Sequence, residues 1–148
     1  MLIVKDPTRL DEQQHRALTI WASECAEHVL PYFEEMYPED GRPRKAIEAA
    51  RAWARGGLPM VDARKAAFAA HAAARNAIHA PAQAAARAAG HAAATAHVAD
   101  HASHAAAYAV KAATAAEITD DAAAAESDWQ YRQLPEQLRS VAFPSSRH

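Results

Sequence analysis

Four histidines stand at positions 91, 97, 101 and 104, in a run reading GHAAATAHVADHASHAAAYAVKAA from Gly90 to Ala113. The residues between them are mostly alanines, so the imidazoles are the chemistry of this stretch. If 97–111 is one helix, His97, His101, His104, Tyr108 and Lys111 share an arc of about 80° at ~100° per residue. The histidines are then sorted to one face. His97 and His101 have the i, i+4 spacing of a helical zinc pair. The acid of an HExxH site is missing, however, because Val98 follows His97. His97 and His104 stand ~10 Å apart along such a helix, too far for one ion to take all three easily. A third ligand would have to come from another helix, with His71 or His91 available. No bound metal and no cofactor are therefore expected. If Asp100 instead caps a new helix at His101, the stripe shortens to His101, His104, Tyr108 and Lys111.

Other polar stripes recur. Gln83, Arg87, His91 and Thr95 repeat every four residues, and Arg64, Phe68, His71 and Arg75 follow helical spacing. Such stripes either face solvent or line a shared groove. Catalysis has less support. Cys25 is the single cysteine, lies among apolar positions, and should be buried and inert. No GxSxG, phosphate loop or glycine fingerprint occurs. Glu27 and His28 are adjacent and point ~100° apart on a helix, so they are no catalytic pair.

The stretch PEDGRPRKAIEAARAW passes from Glu39 and Asp40 directly to Arg42, Arg44 and Lys45. These cations sit at a helix start, where the helix dipole favours acids instead. Arg42 and Arg44 are expected either to be held by a carboxylate such as Glu27 or Glu48, or to be presented to a partner.

The elements carrying these residues read as helices throughout. Alanine, the best helix former, fills 34 of the 63 positions from 63 to 125. Asp11 is an N-cap for a helix through Leu30, with Leu18, Trp21, Cys25 and Val29 on its apolar face. Pro31 should stop that helix and begin a short second one, PYFEEMY. A third starts at RPRK and ends at Gly56-Gly57. A fourth covers about Pro59–Ile78, and a fifth begins at Pro81. The fifth either ends near His97 or runs on with a bend. Gly90 inside it should mark a close backbone approach. A last helical region spans Asp120 to about Val141, turning at Pro135.

The expected fold is all-α: a single-domain bundle of about six to eight helices over residues 1–148, ordered from about 8 to 143, with a frayed tail at 144–148. Alanine faces let helix axes approach to ~8 Å, so the alanine-rich helices should form a central close-packed layer. Trp21, Phe33, Trp53, Phe68, Tyr108 and Trp129 should anchor the flanking elements.

Charge narrows the function classes. The net charge is −2, with a mildly basic middle and acidic ends. That is no basic stripe of the kind nucleic acid requires. No window is long and apolar enough for a membrane span, and the first residues lack a signal-peptide core. One cysteine fits a reducing compartment, so a cytoplasmic location is expected.

Read together, WASECAEHVLPYFEEMYPEDGRPRKAIEAARAWARGG, ARKAAFAAHAAARNA, AARAAGHAAATAHVADHA and DWQYRQLPEQLR resemble a known family. It is the small all-helical immunity-protein family similar to the fifth immunity class of bacterial polymorphic toxin systems. The likeness covers about Leu18 to Arg139. It implies a protein that binds and neutralises a cognate toxin without catalysis. Residues matching the family hallmarks are Glu27, Arg42, Pro43, Arg44, Glu48, Arg51, Trp53, Arg75, His91 and His97, and His104 lies outside them.

The expected toxin-binding surface joins the DGRPR corner to the histidine stripe, through Glu27, Asp40, Arg42, Arg44, Arg75, His91, His97 and His101. Binding through imidazoles should change near pH 6.5. Two other readings compete. One is a histidine-lined helical enzyme using a metal or small ligand. The other is a structural protein that self-associates through alanine seams, for which a homodimer would be no surprise.

Overall fold

Asp11 opens the first helix with a capping box. Its carboxylate accepts from the Gln14 N–H at 2.7 Å, and the Asp11 N–H donates to the Gln14 side chain at 3.0 Å. The structure is a computed structural model and describes residues 10–119 and 121–143. The expected frayed tail at 144–148 and the helix start at Asp120 fall outside those residues.

The elements are α1 (Glu12–Glu34), α2 (Arg42–Ala54), α3 (Met60–Asn76), α4 (Ala80–Ala94), α5 (His101–Glu117) and α6 (Ala122–Gln133), then a 3₁₀ turn (Glu136–Leu138) and α7 (Arg139–Ala142). Among the described residues there are seven α-helices and no strand, as the alanine content implies.

Pro31 does not end the first helix as expected; it lies inside α1. A proline in a helix interior costs ~3 kcal/mol through its missing N–H and ring clash. Here the apolar face continues in register across it, with Val29, Leu30 and Phe33 all at most 1% exposed. Burying side chains of this size contributes roughly 1.5–3 kcal/mol each, and the face outweighs the break.

α4 is the inner helix. It packs against α1, α2, α3 and α5, and Ala82, Ala85, Ala86, Ala88, Ala89, Ala92 and Ala93 are fully buried on it. Each alanine methyl contributes only ~0.8 kcal/mol on burial, so the larger anchors come from α1. Trp21 Nε1 donates to the Gln130 carbonyl of α6 at 2.8 Å, and buried Gln130 Nε2 donates to the Ala106 carbonyl of α5 at 2.8 Å. Those two bonds tie α1, α5 and α6 together. Phe68 is not an anchor: it is 60% exposed. The buried side of α3 is made of Ala63, Ala67, Ala70, Ala73 and Ala74, and Phe68 falls on the opposite side, under the Arg64 guanidinium.

α4 and α5 are separate helices, so the long stripe beginning at His97 does not exist. The Thr95 hydroxyl bonds back to the His91 carbonyl at 2.8 Å, and His15 Nε2 of α1 donates to the Thr95 carbonyl at 2.6 Å. That carbonyl is diverted from the helical ladder, and the chain turns before α5. Asp100 precedes α5, but its side chain makes no capping bond.

Candidate functional site

Polar residues of α4 and α5 meet where the two helices pack. His91 is the centre of the histidine end of that contact. Its ring stacks on His101 at 5.1 Å and on Tyr108 at 5.2 Å, and meets His104 edge-on at 5.2 Å. His91 Nδ1 lies 3.0 Å from His101 Nδ1, so with both rings neutral one nitrogen donates and the other accepts. Toward the other end, Gln83, Arg87, Tyr108 and Lys111 line a cavity of about 110 Å³.

α3 completes the cluster with His71, whose ring meets His91 edge-on at 4.8 Å. The sequence suggested that Gly90 admits another backbone. It admits this imidazole: a Cβ on Gly90 would fall 2.6 Å from His71 Cε1. Nδ1 of His71 is buried with no hydrogen-bond partner, alone in this among the described side chains.

The crowding disfavours protonation. Burial pushes His91 down to about 3, helped by the nearby His71, His101, His104 and Arg87. Burial lowers His71 as well, with Arg87, His101 and Arg75 adding to it, and lowers His101, where His104 and His97 contribute and Asp100 opposes. His91 therefore stays neutral through the physiological range, and the expected change near pH 6.5 does not apply to it.

One ring nitrogen each from His91, His101 and His104 lies within 4.8 Å of the others. The sequence weighed His97 with His101 and named His91 or His71 as an outside third. The structure keeps His91, adds His104, and leaves His97 exposed in the turn after α4. Arg75 is also exposed, at the end of α3, close enough to act on His71 through its charge.

The DGRPR corner is a second, separate place. Arg44 donates twice to Glu34, through Nε and Nη2 at 2.7 Å each, and Arg51 donates to both oxygens of Glu27, at 2.8 and 3.1 Å. Arg42 folds onto Asp40 in the same way, at 2.9 and 2.7 Å. A carboxylate from another element does hold Arg44, but it is Glu34; Glu27 belongs to Arg51, and Arg42 takes its own neighbour. Each carboxyl is held below its ordinary range, first by these hydrogen bonds. The corner adjoins the start of α4, where Tyr37 bonds to the Ile78 N–H and packs by His79. From Ala80 to His91 the helix rises ~16 Å, so corner and histidine cluster do not touch.

A third place had no sequence signal. His28 stacks on Trp129 at 3.7 Å, and its Nδ1 lies 2.8 Å from Glu126 Oε1. With Tyr32, Glu117 and Arg132 they line a cavity of about 500 Å³ between α1 and α6. Burial raises the Glu126 carboxyl, opposed by His28 and Gln130. Adjacent Glu27 is ruled out by helix geometry as a partner of His28, and the partner observed, Glu126, lies 98 residues away. Cys25 is fully buried and its thiol is pushed up by burial, so it is no nucleophile.

Compared with known proteins, the chain matches a family described as Imm-5 like putative immunity protein over residues 8–137. Neither the curated proteins nor the solved structures contain a match.

Proposed function

The chain belongs to the Imm-5 like family of putative immunity proteins, and from that membership we propose that it binds and neutralises a cognate toxin without turning over a substrate. Family membership is the observation that carries the reading. No helix among the described residues is long and apolar enough to cross a membrane, which suits a partner met in the bacterial cytoplasm.

We assign the contact surface to Asp40, Arg42 and Arg44 at the corner with Glu27 further along α1, to Arg75 at the end of α3, and to His91, His97 and His101 around the far end of α4. The corner is pre-ordered: Arg44 is about half exposed while its guanidinium is fixed on Glu34. Fixing a long side chain beforehand removes ordering cost from association. Arginine is also a frequent hot-spot residue. Phe68 adds an exposed aromatic on α3, with Arg64 across its ring.

The test is co-expression with the toxin encoded beside it, followed by a pull-down and a rescue assay. The wild type protects and co-purifies. Arg44→Ala and His97→Ala, each verified as folded, weaken binding by roughly 30-fold or more where the residue is a hot spot worth ~2 kcal/mol. If both folded variants protect fully, the surface is elsewhere. If the wild type neither binds nor protects, the immunity reading fails.

A further inference from the structure

We propose that His91, His101 and His104 form a binding site for one divalent transition-metal ion, with His71 as a supporting group beside it. This site does not depend on the toxin reading, and it is not the His97 pair weighed from the sequence.

Three observations carry it. The first is convergence: two helices bring three imidazoles together with their nitrogens within 4.8 Å. The His91 and His101 Nδ1 atoms are already 3.0 Å apart. Two nitrogens each ~2.0 Å from one tetrahedral ion lie about 3.3 Å apart, so the pair suits shared ligation once the donating ring carries its proton on Nε2 instead of Nδ1. The second is that the outlying member is adjustable. His104 is exposed, and among the described residues no hydrogen bond holds its ring. The movement asked of it is a rotation of its side chain against the His91 and His101 rings, which it already meets edge-on at 5.2 and 5.4 Å. The third is His71, whose ring meets His91 edge-on at 4.8 Å and whose Nδ1 is buried with no hydrogen-bond partner. A buried nitrogen without a partner is costly, so the ring packed on His91 still has a polar partner to gain.

The chemistry selects the ion class. Imidazole donors suit zinc, copper, nickel and iron rather than magnesium or calcium. Ligation needs unprotonated rings, and the burial of His91 meets that condition. Three protein ligands leave a fourth position for water or an anion, the arrangement of an open zinc site. The surrounding charges are Arg87 on α4, Arg75 on α3, Lys111 on α5 and Asp100 before α5. Three of the four are cations, so a negatively charged fourth ligand is favoured over a neutral one.

The experiment uses tag-free full-length protein, stripped with chelator and titrated with Co²⁺ alone, then with Zn²⁺. The expected result is one ion per chain, with visible cobalt absorption of tetrahedral intensity that zinc abolishes. His104→Ala, an exposed substitution that leaves the core intact, and His101→Ala each lower affinity at least about tenfold, while circular dichroism stays helical. His79→Ala, outside the cluster, binds as the wild type does. No saturable binding overturns the site. So do undiminished binding in both His104→Ala and His101→Ala, one ion per two chains, and loss on His97→Ala instead.

Discussion

The imidazole of His71 occupies the space that a side chain at Gly90 would need. A Cβ there would lie 2.6 to 2.8 Å from three atoms of the ring, closer than non-bonded atoms approach. The glycine in the middle of α4 is thus the seat of a histidine from α3. Gly90→Ala pits two effects against each other. Alanine gains ~1 kcal/mol as the better helix former, while overpacking costs about 1–3 kcal/mol. Net destabilisation is expected in urea unfolding. In a His71→Ala background the ring is gone, and the same substitution should stabilise by ~1 kcal/mol. Equal effects in both backgrounds would break the pairing of these residues.

The corner's arginine pairs answer the helix-dipole problem within the chain. Glu27 and Glu34 on α1 face Arg51 and Arg44 on α2, the members standing seven positions apart on each helix. Their carboxyls, and that of Asp40, are lowered in the fold. A lowered acid contributes stability above its unfolded value and loses it as pH falls through the folded value. Arg44→Ala should therefore destabilise slightly at pH 7, by about 0–1 kcal/mol for exposed pairs, and less in high salt. The difference from wild type should close as pH drops below the ordinary carboxylate range near 4.5. Melting temperatures from pH 7 to 3 check this; a gap that persists at pH 3 would point to packing instead of charge.

Local rules carried the sequence reading furthest where one residue type decides. Asp11 capping, alanine helices and the glycine pair after α2 are all local, and the bundle followed from them. Pro31 misled because the local cost of a proline lost to a tertiary gain, the buried face running through Phe33. The end of α4 was undecidable for the same reason: His15 takes the Thr95 carbonyl from 80 residues away. Within the site, His91 and His101 were legible from helical spacing. His104 was placed on the face but excluded by distance along a helix that the chain does not form. His71 had a signal in Gly90 that was read as backbone approach. The His28–Glu126 pair had none, since nothing in either neighbourhood announces a partner 98 residues distant.

Ile118 closes α5 in a left-handed conformation, φ 51° and ψ 39°, and it alone among the described non-glycine residues has positive φ. Left-handed geometry brings Cβ against the following carbonyl and costs roughly 1–2 kcal/mol for an ordinary residue. A β-branched side chain is among the least suited to it. Its N–H nevertheless bonds to the Thr114 carbonyl at 3.2 Å, which is how a left-handed cap satisfies a helix end. The isoleucine gains little in return, because it is 87% exposed. Ile118→Gly should therefore keep the cap and relieve the strain, although glycine also widens the unfolded ensemble and gives back part of the gain. The net expectation is stabilisation by about 0.5–1 kcal/mol, seen as a higher melting temperature. Ile118→Ala should stay within a few tenths of a kcal/mol of wild type, since it keeps a Cβ in the same geometry. If glycine destabilises instead, the isoleucine side chain is covered by something in solution, and its position beside the Glu117 and Thr119 rim of the His28 cavity would make that rim the place to look.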